Sequence, residues 1–201
     1  MQPGAPRSTD HDIDPIFTQR WSPRSFDGSK VDDRELHVLF EAARWAPSSY
    51  NRQPWRFVYA HRDSAEWATF LGLLKPFNAA WAAGASVILF VLSDRMIQLP
   101  GRESPEVSRS HSFDAGAAWA CLALQATRIG LSTHGLAGVD FERAQTELGV
   151  PDDFHIEAAI VVGRRAERDL LPEPLRARET PSGRNPVASF AWQGRFGETT
   201  G

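Results

Sequence analysis

Cysteine is nearly missing from this chain. The 201 residues contain one, Cys121, which excludes an internal disulfide framework and fits a reducing cytoplasm. Within Ala-Trp-Ala-Cys-Leu-Ala-Leu it reads as a small buried apolar residue. No apolar run has the length of a bilayer span, since the longest, Ala79 to Leu92, is broken by Gly84 and Ser86. The polar, acidic start has no apolar run behind a basic segment, so no secretory signal is visible. Positive charge is not in excess either. A formal net charge of -3 leaves no global basic field for nucleic acid or an anionic membrane, and any polyanion site has to be local. Also absent are a Gly-x-Ser-x-Gly elbow, a Walker loop and a Gly-x-Gly-x-x-Gly fingerprint. His11, His37, His61, His111, His134 and His155 show no metal-ligand spacing. The expectation is a cytoplasmic protein without a metal site, nucleic-acid partner or membrane partner, and without a nucleophilic side chain.

What is present suffices for one core: hydrophobic residues make up 42% of the chain, enough for a single domain or one protomer of a compact dimer. Residues 1–14 lack periodicity and read as a loose arm, followed by one domain over 15–201. Ile13, Ile16 and Phe17 can anchor a short first helix, with Arg20, Trp21, Ser22 and Arg24 on the turn after it. Asp32 and Glu35 form a capping pair that opens a helix through Trp45, with Leu36, Leu39, Phe40 and Ala43 as its buried stripe. The stretch Ala-Pro-Ser-Ser-Tyr-Asn-Arg-Gln-Pro-Trp follows, from Ala46 to Trp55. Pro47 and Pro54 restrict their neighbours, which predicts an extended segment lined by Ser48, Ser49, Asn51 and Gln53. These uncharged donors and acceptors suit a flat heterocycle edged with carbonyls and ring nitrogens. By themselves they equally suit a polar turn.

Trp55 to Tyr59 alternates as a strand. Ser64 can cap a helix from Ala65 to Leu74, ended by Pro76. Ser86 to Leu92 has the continuous apolar character of a strand buried on both faces. A polar connection over 93–112 is a candidate lid. Phe113 to Ile129 is a helix apolar around most of its circumference, suited to a dimer interface or to the centre of a monomer. Gly130 sits just past its end. Gly135 to Gly138 reads as a Gly-rich turn. Phe141 to Leu148 is a short helix, stopped by Gly149 and Pro151, and His155 to Gly163 is a second core strand. The tail from Arg164, rich in Arg and Pro, reads as unable to make its own core and as wrapping a neighbour.

Three segments in this order, Arg20-Trp21-Ser22-Pro23-Arg24-Ser25-Phe26, the Ala46–Trp55 loop and Gly130–Asp140, resemble the nitroreductase family of FMN-dependent oxidoreductases over roughly residues 16–197. The resemblance implies an α+β fold: a mostly antiparallel sheet flanked by helices, in an intertwined homodimer whose FMN sites use both chains. It implies bound FMN, with NADPH or NADH as transient donor. Hydride passes to flavin N5, and a nitroaromatic, quinone or related small-molecule acceptor is then reduced at the same face. A protein that stores FMN, or a dehalogenase or enone reductase on this scaffold, are the alternatives. Residue by residue, Arg20 and Ser22 match the positions facing the phosphate and ribityl chain, beside Trp21. Arg24 matches the pyrimidine side and is the candidate stabiliser of negative charge on the reduced flavin. Pro47, Ser48, Ser49, Asn51 and Gln53 match the ring-edge loop, and Asn78 with Trp81 matches an Asn-x-x-Trp element. Ala137 and Gly138 match the main-chain N–H pair at the flavin, although many members carry Glu at position 137. Arg184 matches a C-terminal phosphate contact, with Asn185 where Lys is common. His134 is the one histidine close to these segments.

Overall fold

The computed structural model describes residues 7–198. Residues 1–6 of the expected arm and 199–201 of the tail lie outside the described residues, and 7–14 form no helix or strand. Helices α1 (Ile16–Gln19) and α2 (Asp33–Arg44) precede strand β1 (Trp55–His61), which is followed by α3 (Trp67–Gly72) and α4 (Pro76–Ala82). Strand β2 (Val87–Asp94), the two-residue strands β3 (Met96–Ile97) and β4 (Glu106–Val107), and the long helix α5 (His111–Arg128) come next. The chain continues through β5 (Ser132–Leu136), α6 (Phe141–Glu147), β6 (Phe154–Gly163) and a short α7 (Glu173–Arg176).

The main sheet has the order β1-β2-β6-β5, with every neighbouring pair antiparallel, as the α+β reading requires. Its centre is β2, whose side chains alternate between two cores. Ile88, Phe90 and Leu92 face one, with Phe70 of α3, Trp81 of α4 and Ala144 of α6. Val87, Leu89 and Val91 face the other, with Leu36, Leu39 and Ala43 of α2 and Ala115, Ala118, Leu122 and Ala126 of α5. A strand sandwiched this way reads as a continuous apolar run because neither face meets water. One irregularity matters: between Val91 and Leu92 the register with β6 slips and leaves Glu157 opposite no residue. The bulge turns its carboxylate toward the start of α5, where it accepts hydrogen bonds from Ser93 Oγ at 2.5 Å and Ser112 Oγ at 2.7 Å.

Local chemistry explains the helix ends. Asp32 and Glu35 form the reciprocal capping box of α2. Helix α5 ends in a Schellman motif: Gly130 N donates to the Thr127 carbonyl at 3.2 Å and Leu131 N to the Ala126 carbonyl at 2.8 Å, with Gly130 at φ 80°.

Several expectations change. The stretch between Pro47 and Pro54 is not extended throughout. It forms a 3₁₀ turn over Ser49–Asn51, and Tyr50, Asn51 and Gln53 all take φ of 52°. The helix expected over 65–74 spans only Trp67–Gly72, Ser64 gives it no side-chain cap, and Pro76 begins α4 rather than ending α3. A proline at the first helical position loses no hydrogen bond, so it starts a helix as readily as it breaks one. The 93–112 connection carries the small β3–β4 ribbon. Gly135 lies inside β5 rather than in a turn, paired with Ile160 of β6 and with the Trp119 indole beside it. Within the chain α5 buries one stripe and leaves Phe113 81% exposed, and Cys121 is only half-buried. The first part of the tail does join a core of its own chain, through Leu171 and Leu175. Among the described residues no helix is long and apolar enough to cross a membrane.

Gly130→Ala should lower unfolding stability by about 1 kcal/mol, since a Cβ there has open space but a strained left-handed backbone. Equilibrium urea denaturation with an unchanged m-value checks this.

Candidate functional site

A cavity of about 270 Å³ opens between the segment after α1, strand β5 and the tail. It brings together Arg20, Trp21, Ser22, Arg24, His134 and Arg184 from the sequence reading, and adds Arg7 and Arg178. Its walls are assembled by hydrogen bonds between distant segments. Arg7 donates from one guanidinium nitrogen to the Arg20 carbonyl at 2.7 Å and the Thr18 carbonyl at 3.1 Å, fixing the end of α1. Arg20 in turn donates to Ser22 Oγ at 3.3 Å, and Arg165 stacks over the Trp21 ring. The buried carboxylate of Glu179 accepts from Arg24 N at 2.8 Å and Ser25 N at 2.9 Å. Next to this clamp, Phe26 bridges to Arg165 and Ala166 N donates to the Ser25 carbonyl at 3.0 Å. The tail thereby holds Arg178 and Arg184 against the N-terminal motif.

The electrostatics follow from this assembly. Five guanidiniums line the cavity. Among the described residues, no carboxylate forms an ion pair with Arg20, Arg24, Arg178 or Arg184. Partial burial lowers the pKa of Arg20, with further lowering by Arg184 and Arg7. Arg24 is lowered by burial and then by Arg178, against an opposing pull from Glu179. Cations crowded without counter-charges make a site for an anion, and guanidinium forks match phosphate or carboxylate oxygens.

His134 lies on β5 with its ring 4.7 Å from that of Trp81 and its Nδ1 2.9 Å from the Pro23 carbonyl oxygen. Burial pushes its pKa down to about 4, partly opposed by the Pro23 carbonyl and reinforced by Arg24 and Arg20. At neutral pH the imidazole is therefore uncharged. A carbonyl only accepts, so Nδ1 carries the proton and Nε2 is left as an acceptor. The buried Trp81 Nε1 has no acceptor among the described residues. On the same helix as Trp81, Asn78 donates to the Gly138 carbonyl at 3.3 Å, and a Cβ at position 138 would come within 2.0 Å of the Asn78 amide nitrogen. A side chain at 138 would displace the Asn78 amide from this contact. The exposed Ala137 follows β5 directly, and neither its N–H nor that of Gly138 donates to a backbone acceptor among the described residues.

The central loop lies elsewhere. Asn51 and Gln53 line a separate hollow with Arg44, Trp45 and Ala46, which shares no lining residue with the arginine cavity. Pro47 leads into this loop and is exposed, like Asn51 and Gln53. Three left-handed non-glycine residues cost on the order of 1 to 2 kcal/mol each, so the conformation is held from outside. Ser48 Oγ accepts from Gln53 N at 2.9 Å, and buried Asp114 of α5 accepts from Ser49 N at 3.1 Å. Arg52 pairs with Asp94 at 2.9 Å and also donates to the Met96 carbonyl. A third, more apolar hollow between α1 and α5 includes Phe17, Trp119 and Leu124 and shares Arg20 and Ser22 with the arginine cavity.

Sequence reading did not single out Arg7, Arg178 or Glu179. An acidic residue in a polar tail carries no local sign of burial, and an arginine in a loose arm looks like any solvated one.

Comparison with known proteins bears on the family and the fold. The sequence model of the Nitroreductase family matches residues 17–76. A solved structure of an oxidoreductase containing FMN is 44% identical and superposes with a TM-score of 0.93, over 99% of this chain and 100% of that one. An NADH dehydrogenase of Thermus thermophilus is 31% identical over 177 residues, 74% of this chain and 84% of the relative. A nitroreductase family protein from Streptococcus pneumoniae, at 22% identity and a TM-score of 0.70, covers 89% of this chain and 98% of its own and shares the fold.

The depressed His134 pKa gives a pH signature. The unfolded chain takes up a proton near pH 6.5 that the folded chain refuses until about pH 4, so stability is full above 6.5 and falls as pH drops through that window. The loss attributable to His134 should reach up to roughly 3 kcal/mol. Denaturant curves at pH 7 and pH 4.5 should show a smaller drop for His134→Gln than for wild type; equal drops would refute the assignment.

Proposed function

The chain belongs to the nitroreductase family, and from that premise we propose that it is an FMN-dependent oxidoreductase. In this reading it draws electrons from NADPH or NADH and passes them, in two half-reactions at one site, to a nitroaromatic, quinone or related electron-poor acceptor. The observation that carries the reading is the cluster of arginines without ion-pair partners among the described residues, to which Arg20 and Arg184 contribute on the positions that match the family's phosphate contacts. When bound, FMN supplies the two-electron chemistry that the side chains of this protein lack.

The residues themselves bind, orient and hold charge. Arg20 and Arg184 hold the phosphate as charge-assisted donors, each contributing roughly 1.5 to 3 kcal/mol, with Ser22 as a neutral donor and Trp21 as the adjoining wall. Arg24 keeps positive charge available where negative charge develops on reduction. His134, neutral and fixed through Pro23, offers Nε2 as an acceptor without adding a cation. Asn78 and the glycine at 138 hold the end of β5 so that the Ala137 and Gly138 N–H groups stay available. The uncharged Ala137 leaves acceptor choice to shape and to the arginines.

A homodimer completes the arrangement. The loop carrying Ser48, Ser49, Asn51 and Gln53 does not share the arginine cavity of its own chain, and the exposed apolar groups include Trp45 at 74%, Tyr50 at 74% and Phe113 at 81%. A second chain that covers them and brings its own loop to the arginine cavity accounts for both facts. Light scattering on the purified protein should give twice the 22.3 kDa chain mass.

Purified protein supplemented with FMN should show flavin absorbance that bleaches anaerobically with NADPH or NADH and recovers on adding a nitroaromatic or quinone. Bound flavin that neither donor reduces would mean storage instead of turnover. Arg20→Ala and Arg184→Ala should each weaken FMN retention about tenfold or more, while Arg34→Ala, on the exposed face of α2, should not. Equal FMN content in the three variants would remove the phosphate assignment. Asn51→Leu should damage ring contacts and turnover instead.

A further inference from the structure

The arginine cavity holds more positive charge than one phosphate ester balances. Five guanidiniums line it, and the Glu179 carboxylate beside them is already engaged by the main-chain N–H groups of Arg24 and Ser25. A phosphate monoester brings about two negative charges at neutral pH. Even with Glu179 counted in full, two cations are left over.

The five also fall into two groups. After burial, Arg184 is the main influence lowering the pKa of Arg7 and Arg20, whereas Arg178 is the one acting on Arg24. His134 feels one arginine of each group, Arg24 and Arg20. One phosphate on Arg20 and Arg184, with Arg24 kept for the charge of the reduced flavin, leaves Arg178 in the second group to another ligand. That second group has its own geometry. Exposed Arg178 stacks 5.9 Å from the ring centroid of Phe77, itself 55% exposed on α4. Deeper in, Arg24 makes the matching contact with buried Trp81, also at 5.9 Å. Two cations backed by aromatic rings, one at the rim and one inside, form a ledge at which a planar ligand carrying an anionic group is attracted by charge and by ring contact together.

We propose that Arg178, with Phe77, selects the exchangeable substrate for an anionic group: a carboxylate on an aromatic acceptor, or a phosphate ester on the nucleotide donor. The selection rests on the FMN reading above, which assigns the first group of arginines to the cofactor phosphate. Arg178 then acts on substrate choice and not on cofactor retention, which separates it from Arg20 and Arg184.

The test uses the full-length, FMN-loaded protein. Calorimetry with the oxidised form, without any donor, compares 4-nitrobenzoate with its neutral isostere 4-nitrobenzamide. A parallel arm compares kcat/KM for NADPH and NADH. The member of at least one pair that carries the additional anionic group should be preferred by roughly tenfold, and the arm in which this occurs identifies whether acceptor or donor brings the anion. Arg178→Gln should abolish that preference while FMN content and binding of the member without that group stay unchanged. Normal FMN uptake with no preference in either arm overturns this proposal alone. So does an Arg178→Gln variant that keeps the preference, or one that loses FMN with selectivity intact. Failure of the wild type to take up FMN overturns the underlying reading and this one with it.

Discussion

The buried carboxylate of Glu179 is the interaction on which the candidate site depends. It joins the tail to the N-terminal motif across about 150 residues of sequence by accepting main-chain hydrogen bonds from Arg24 and Ser25. Hydrogen bonds to a charged acceptor are stronger than neutral ones, and two N–H groups left unpaired in a buried place would cost more than the bonds themselves contribute. Because of this clamp, Arg178 and Arg184 stand near Arg20 and Arg24 despite their mutual repulsion. The fold thus holds cations together by binding their backbone, and leaves their guanidiniums without carboxylate partners among the described residues.

The same logic, rigidity supplied from outside the functional segment, governs the central loop. Tyr50, Asn51 and Gln53 take a conformation that side chains disfavour. Asp114 from α5 and Asp94 from the end of β2 anchor the loop at Ser49 and Arg52. Both carboxylates come from elements seated in the main core, so the loop inherits its position from the sheet. Strand β2, buried on both faces, is the reference to which α2, α5 and the loop are all fixed.

The separation of the loop hollow from the arginine cavity gives the proposed dimer a chemical purpose beyond covering apolar surface. One chain offers charge, at Arg20, Arg24 and Arg184; the loop offers uncharged amides and hydroxyls. A phosphorylated heterocycle needs both kinds of group, one at each end. Neutral His134 lies against Trp81 and the Pro23 carbonyl and contributes an acceptor where a further cation would add repulsion.

Much of the fold is legible in the sequence because it rests on short-range rules. The Asp32–Glu35 capping box, the Gly130 helix end and the apolar run of β2 need only neighbours a few residues apart, and all three stand where the residues put them. The motif arginines and the Ser-Ser-Tyr-Asn-Arg-Gln segment were likewise identifiable. Local rules fail where a residue has two uses. Pro76 starts a helix although it looked like a stop, and Gly135 sits in a strand because it pairs with Ile160 of β6, twenty-five residues later. The Pro47–Pro54 loop looked extended from its prolines, but contacts from α5 and β2 hold it in a left-handed turn. The recruitment of Arg7 and Arg178, the burial of Glu179 and the neutral state of His134 belong to tertiary structure alone. Burial and charge neighbours arise between segments far apart in the chain, and no local pattern encodes them.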